Sequence, residues 1–219
     1  RESVLRGDRP WDKDSVAFMR TFQDGDRYRA WYRCDAVSAP EVMNPRWSAY
    51  TESRDGIHWE KPDLGIIEFK GSRDNNLVTV QGMNRGFENA VYDPIDPDPA
   101  CRYKGFAHNF NVLYPIASDG VTWRKLDCPA IPSWDSHEVY FDAVEKLFIA
   151  YVKDAGAAAE FDGPWKKDAT ANLKGDPGSG RYGRSVWLTT STDFRDWTPV
   201  ELIFETDDLD QELAKENIA

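Results

Sequence analysis

The chain has few cysteines, and none has the spacing of a metal site. Cys34, Cys101 and Cys128 are odd in number and lie far apart in the sequence. The sequence therefore predicts neither a disulfide framework nor a zinc site. An Asn-x-Ser/Thr sequon is also absent, which is mild evidence against a eukaryotic secretory history.

Long apolar runs and positive charge are also scarce. No stretch approaches the ~20 apolar residues that a membrane span needs, and no signal peptide is visible. Asp and Glu number 38 against 27 Lys and Arg, a formal net charge of −11. A surface of that sign repels nucleic acid and anionic membranes, so neither is an expected partner.

The chain lacks an initial Met, begins with "RESVLRGDRPW" and ends in the polar run "QELAKENIA". We therefore expect it to be a piece of a longer protein, and the missing signal peptide says nothing about secretion. Aromatic residues, in contrast, are plentiful at 13%, and nine of them are Trp. This aromatic content suits either a surface on which saccharides stack or large side chains that pack between sheets.

One short phrase occurs three times along the chain. A β-rich run is followed by Ser, by Asp one or two places on, and by Trp four residues after the Asp. The copies are "WSAYTESRDGIHW" (47–59), "VLYPIASDGVTW" (112–123) and "VWLTTSTDFRDW" (186–197). Because it recurs in every unit, we interpret the phrase as a structural turn. His58, which lies in the first copy, is accordingly not a catalytic candidate.

Two further strands precede each copy, and a weaker fourth follows each Trp, such as "LGIIEF" (64–69). Units of four antiparallel strands repeated in a fixed order indicate an all-β fold, a β-propeller. The blades are expected at roughly residues 11–80, 81–133 and 134–206 of one domain. About three blades are too few to close a ring, since propellers usually have ~4 or more.

Candidate catalytic residues lie where the first strand of each unit begins, because these strands converge on a propeller axis. The candidates are Trp11, Asp12 and Asp14 in the first unit, Glu88 and Asn89 in the second, and Trp134, Asp135, His137 and Glu138 in the third; Asp93, near the end of the second unit's strand, is also a candidate. A carboxylate in each unit is the pattern that a glycosidase needs, with one ionised group, one protonated acid and a neighbour that sets their pKa values. Polar ends of strands are also common in plain solvated loops, and that interpretation stays open for each acid.

The chain resembles the five-bladed β-propeller glycoside hydrolases, which include arabinanases, β-xylosidases, invertases and levansucrases. It is most similar to a bacterial group of glycosidase-like propellers, through "SRDGIHWEKPDLGIIEFKGSRDNN" (53–76) and "DSHE" (135–138). The resemblance spans most of residues 11–204. The invertase sequence Asn-Asp-Pro-Asn-Gly is absent, so fructosidase activity is not expected.

In the characterised relatives three acids begin the inner strands of successive blades. By that resemblance Asp14 is the base or nucleophile and Glu138 is the general acid. The middle acid is Glu88 by position or Asp93 by its invertase-like Asp-Pro. Asp135 is a rival to Glu138, because His137-Glu138 replaces the usual Gln-Asn.

Two long connections are expected to shape a saccharide groove, at residues 36–45 and 156–183. The candidate substrate contacts are Trp11, Asn89, Trp134, His137 and Arg184, with Trp165, Lys166 and Lys167 in the longer loop. For that loop, a solvated and disordered chain is the other interpretation.

The leading hypothesis is a glycoside hydrolase or transglycosidase with a saccharide substrate. A non-catalytic carbohydrate-binding propeller is the second hypothesis, and a protein-interaction scaffold is the third. No cofactor is expected, although the resemblance allows a divalent cation near the axis, and no metal ligand is assigned. The resemblance suits an extracellular or periplasmic protein.

Overall fold

Strands account for almost all the regular structure in the described part of the chain. The computed structural model describes residues 3–34, 47–83, 86–109, 112–134, 137–153, 185–205 and 209. These residues form fifteen strands and a single 3₁₀ turn, Pro99–Cys101. The predicted all-β class is confirmed. Along this described part of the chain, no helix has the length and apolar character to cross a membrane.

The strands form three sheets, each with four neighbouring strands that are consecutive in the sequence. The first contains β1 (Val16–Asp24), β2 (Arg27–Cys34), β3 (Trp47–Ser53) and β4 (Trp59–Glu60), with β5 (Leu77–Val78) also on β3. The second contains β6 (Val80–Gln81), β7 (Asn89–Tyr92), β8 (Tyr103–Asn109), β9 (Val112–Ser118), β10 (Trp123–Lys125) and β11 (Ile131–Pro132). The third contains β12 (His137–Asp142), β13 (Leu147–Lys153), β14 (Ser185–Ser191) and β15 (Glu201–Glu205).

The pairing is antiparallel except where β6 meets β10. In the first sheet, β1 and β2 are joined at Gly25-Asp26, and Asp24 faces Arg27 across the hairpin. The repeated four-strand run agrees with the unit expected for a propeller blade. Treating the three sheets as blades of one propeller remains a proposal.

The prediction of a fourth strand at residues 64–69 is wrong. The fourth strand of the first sheet is β4, directly after the turn. Residues 64–69 instead bond to the chain that follows them: the Leu64 N–H donates to the Asn75 carbonyl at 2.7 Å, and the Asn75 side-chain amide donates to the Ile67 carbonyl at 2.8 Å. Their apolar side chains resemble a strand in sequence, but these backbone groups bond within a local loop rather than to a sheet.

The chain divides into two compact units, which are described separately. One holds residues 1–107 and 116–125, and the other holds residues 108–115 and 126–219. The first unit has an aromatic core in which Trp31 of β2 packs edge-on against Trp123 of β10, with ring centroids 5.7 Å apart. Phe87 lies 4.0 Å from the Trp123 ring. Burial of each such side chain contributes about 1.5–3 kcal/mol.

Candidate functional site

The three Ser-Asp-Trp turns have one hydrogen-bonding pattern. In the first turn the Ser53 hydroxyl accepts from the Gly56 N–H at 2.9 Å, while the Asp55 carboxylate accepts from the Ile57 and His58 N–H groups, both at 2.8 Å. Ser118 with Asp119, and Ser191 with Asp193, repeat this arrangement. The side chains thus satisfy the backbone donors of a tight turn. The structural interpretation of the phrase is confirmed.

The turn also needs one residue in the left-handed region. Gly56 has φ of 74° and Gly120 has φ of 110°. The third turn places Phe194 there at φ 64°, which is costly for a residue with a Cβ. The fully buried Phe194 ring packs 5.0 Å from Phe148 and 5.1 Å from Trp197. Aromatic packing offsets the backbone cost in this turn.

His58 makes an exposed pair with the aspartate of its own turn. Its Nδ1 lies 2.6 Å from the Asp55 carboxylate. The hydrogen bond from His58 holds the pKa of Asp55 well below its ordinary value, and the same bond raises the pKa of His58. The contact is local to the turn, consistent with a structural role for this histidine.

Asn89 begins β7 and Glu88 immediately precedes it, and both contact arginines of the first sheet. The Arg33 guanidinium donates to the Glu88 carboxylate at 2.8 Å, and their side chains are only 20% and 18% exposed. The Arg20 Nε donates to the Asn89 side-chain oxygen, also at 2.8 Å. Strands β1 and β7 therefore lie side by side, and an acid, an amide and two guanidinium groups meet where β7 begins.

Asp14 precedes β1 in the same unit, and its side chain is exposed. Since Arg33 pairs with Ala17 near the start of β1, Asp14 and Glu88 both lie towards the end at which β1 and β7 begin. Sequence reasoning included both acids but missed Arg20 and Arg33. The sequence did contain a signal for these two residues, because each is an arginine within a strand that is otherwise rich in apolar and aromatic residues.

Trp11 and Asp12 are part of the core of the first unit. The Trp11 indole N–H donates to Asn76 Oδ1 at 2.8 Å, and the residue is 7% exposed. Asp12 is fully buried and accepts from the Tyr32 hydroxyl at 2.8 Å and from Lys61 Nζ at 2.7 Å. Burial raises the pKa of Tyr32, so its hydroxyl stays a donor. These contacts give both residues a structural role; substrate contact by Trp11 remains a prediction.

Asp93 lies at the opposite end of β7 from Glu88. Its carboxylate accepts from Lys104 Nζ at 2.8 Å, and the same ammonium donates to Asp96 at 2.6 Å and to the Cys101 carbonyl at 2.8 Å. Lys104 is 3% exposed. This buried ion cluster closes the loop between β7 and β8. The choice between Glu88 and Asp93 as the middle acid remains a prediction.

The second unit contains the other candidates that the structure describes. Trp134 is 43% exposed, and its backbone N–H donates to the Lys153 carbonyl at 2.8 Å. His137 is buried at the start of β12, and the half-buried Glu138 pairs with Tyr151 of β13. The exposed Trp134 indole, which precedes Asp135 in the sequence, is compatible with saccharide contact.

Several predicted residues lie outside the described part of the chain. They are Asp135, Arg184, Trp165, Lys166 and Lys167, with the connections 36–45 and 156–183. Within the described segments no group of three or more His, Cys, Asp or Glu side chains could hold a metal ion. Cys34, Cys101 and Cys128 are all described, and all three are thiols.

No family model matches the chain. Two proteins of Mycobacterium tuberculosis, each from a different strain and each called an uncharacterized protein, are 29% identical to it over 155 residues. These alignments cover 65% of this chain and 48% of each relative. The chain thus spans about half the length of the curated relatives it matches.

Two solved structures show the fold. An α-L-arabinanase of Penicillium chrysogenum, complexed with arabinobiose, has a TM-score of 0.52 at 13% identity, covering 90% of this chain and 52% of that chain. An α-L-arabinofuranosidase of Fusarium graminearum, in complex with an iminosugar inhibitor, has a TM-score of 0.51 at 14% identity, covering 90% of this chain and 51% of that chain. The chain therefore shares its fold with these two proteins, and its antiparallel sheets are consistent with a β-propeller.

Proposed function

We propose that the protein is a glycoside hydrolase or transglycosidase that acts on a saccharide through carboxyl side chains. The observation that carries the proposal is the pairing of Glu88 with Arg33 where β7 begins beside β1. This carboxylate is mostly buried, is held in one orientation, and has Asn89 as its neighbour. Such a fixed acid on a glycoside hydrolase-like fold suits stabilisation of charge at a sugar ring.

The proposed roles follow the chemistry of glycoside cleavage. Glu138 protonates the leaving glycosidic oxygen, and Asp14 attacks the anomeric carbon or activates a water to do so. Glu88 is the third acid, and the Arg33 guanidinium donates a hydrogen bond to its carboxylate. Asn89 supplies hydrogen bonds to substrate hydroxyls.

The structural likeness guides the choice of first substrates. The two similar structures are an α-L-arabinanase complexed with arabinobiose and an α-L-arabinofuranosidase in complex with an iminosugar inhibitor. We therefore propose a furanose-containing saccharide, and arabinobiose, linear arabinan and para-nitrophenyl α-L-arabinofuranoside are the substrates to assay first.

The deciding experiment measures hydrolysis by the chain and by its Asp14→Asn and Glu138→Gln variants. Each variant should lose about 10²- to 10⁴-fold in turnover while keeping the circular dichroism and unfolding midpoint of the parent. Full activity in both variants would overturn the proposed roles. Calorimetric binding of arabinobiose without product release would instead identify a carbohydrate-binding propeller.

A further inference from the structure

Trp59 differs from the two tryptophans that occupy the same place in the other turns. Trp123 is fully buried and Trp197 is 9% exposed, whereas Trp59 is only half-buried. The Trp59 indole N–H donates to the Gly56 carbonyl at 3.0 Å. That bond fixes the ring and leaves its apolar surface as the part that meets a ligand or solvent.

An open groove of about 540 Å³ lies against Trp59. One side of the groove is the segment of residues 3–9, and the other is the segment of residues 59–62. Its charged lining residues are of both signs: Arg6, Arg9 and Lys61 are basic, and Asp8 and Glu60 are acidic. The volume falls within the range of about 300–1,000 Å³ that is usual for small-molecule sites.

Lys61 holds the two sides of the groove together. Its Nζ donates to the Arg6 carbonyl, to the Asp8 carboxylate and to the Asp12 carboxylate, each at 2.7 Å. Asp12 is fully buried, and the Lys61 side chain is only 6% exposed. Because Lys61 is anchored to the buried Asp12 carboxylate, the groove loses little conformational freedom when a ligand binds.

We propose that this groove is a saccharide-binding site that takes a neutral sugar chain. An aromatic ring offers an apolar surface for a pyranose or furanose ring, and flanking carboxylates and guanidinium groups accept from and donate to hydroxyls. Charges of both signs, on a protein with a net charge of −11, favour a neutral ligand over a polyanion.

The groove is separate from Glu88, and binding in it does not depend on hydrolysis. The groove contacts β4, whereas Glu88 lies beside β1, and the sheet order places β2 and β3 between these two strands. Binding here would hold a polymer on the protein while the other site acts on it.

Affinity electrophoresis tests the proposal, with native gels that contain linear arabinan, arabinoxylan, galactomannan or mixed-linkage β-glucan. At least one polymer should retard the chain. Trp59→Ala should weaken that retardation three- to tenfold, as expected for loss of an aromatic contact. Trp59→Phe should keep most of it, and Ile57→Ala, at a residue 59% exposed in the same turn, should keep all of it.

Arg6→Ala offers a second variant, because it removes an exposed side chain from the groove. The backbone carbonyl of residue 6, which accepts from Lys61, is retained in this variant. The variant too should weaken retardation. Absence of retardation by every polymer, or equal retardation of the parent, Trp59→Ala and Arg6→Ala, would overturn the site. Glu88→Gln should leave the Trp59-dependent retardation unchanged, so failure of this proposal and failure of the hydrolase proposal are distinguishable.

Discussion

The guanidinium of Arg33 lies 2.8 Å from the carboxylate of Glu88 and links β2 of the first sheet to the residue that precedes β7 of the second. The two residues are far apart in sequence, and both side chains are mostly buried. Removing one partner of such a pair leaves the other charge poorly solvated. The pair is therefore able to set both the position of the acid and the local packing of two sheets.

Glu88→Gln should reduce turnover about 10²- to 10⁴-fold on any substrate that the parent chain cleaves. Gln keeps the shape of the side chain and can still face Arg33, but it carries no negative charge. The measurement is kcat and KM for arabinobiose or para-nitrophenyl α-L-arabinofuranoside. Unchanged kcat would remove Glu88 from the proposed site.

Arg33→Met should lower kcat about tenfold or more, with a smaller change in KM, because Arg33 positions Glu88 rather than touching the sugar. Arg33→Lys should restore part of the loss, since it keeps a positive charge but lacks the planar guanidinium. A purely structural arginine would instead lower the unfolding midpoint and leave the kcat of the folded fraction unchanged.

Asp93→Asn and Lys104→Met should affect stability and leave turnover intact. Lys104 is buried between Asp93 and Asp96, so its removal leaves two carboxylates without their cation. Loss of one partner from a buried ion pair costs about 3–5 kcal/mol in the free energy of unfolding. Urea denaturation measures that cost for the two variants.

Lys13→Met is the matched control for Lys104→Met, because the Lys13 side chain is exposed. Its effect should stay within about 0.5 kcal/mol. If Asp93→Asn abolished hydrolysis without loss of stability, Asp93 rather than Glu88 would be the middle acid.

Local patterns in the sequence were sufficient to predict three strands of each sheet and the repeated turns. The Ser53-Asp55 turn is specified by residues within a few positions of one another, so its hydrogen bonds could be anticipated. Residues 64–69 have the composition of a strand, yet Asn75 holds them in a loop. No local pattern shows whether the backbone groups of these residues will bond to a neighbouring strand or to Asn75.

Contacts between segments far apart in the sequence could not be predicted from local patterns. Arg33 meets Glu88, and Lys61 meets Asp12, only because the sheets and loops have folded. In the sequence, the carboxylates near the ends of strands cannot be told apart. The structure distinguishes them by their partners: Asp12 has a core role, Asp93 closes a loop, and Glu88 faces an arginine.

Gly120→Ala should destabilise the chain more than Gly25→Ala, although both glycines have positive φ. A Cβ at Gly120 would lie 3.2 Å from the buried Tyr103 ring and 2.6 Å from a guanidinium nitrogen at the movable end of the Arg29 side chain. A Cβ at Gly25 meets nothing within 4 Å. Gly25→Ala should cost about 1 kcal/mol from backbone strain alone, and Gly120→Ala should cost more because of overpacking. Equal unfolding free energies for the two variants would contradict the close packing at Gly120.

The Asp55–His58 pair should make a small contribution to stability that depends on pH. The hydrogen bond with Asp55 raises the pKa of His58, so the contribution of the imidazolium is complete below about the ordinary value of 6.5 and is lost as pH rises through the folded value. The pKa of Asp55 is lowered, so its contribution is present above the ordinary value of 3.8 and is lost as pH falls through the folded value. The pair therefore stabilises the turn most between these two ordinary values.

NMR titration of the His58 ring should give a pKa above the ordinary value in the parent chain, and Asp55→Asn should return it towards that value. His58→Gln should lower the unfolding midpoint more at about pH 5 than at about pH 9, because the imidazolium is absent at the higher pH. Both side chains are exposed, at 86% for His58 and 48% for Asp55, so the difference should shrink in high salt. If His58→Gln lowered the unfolding midpoint equally at both pH values, the contact would contribute through shape rather than charge.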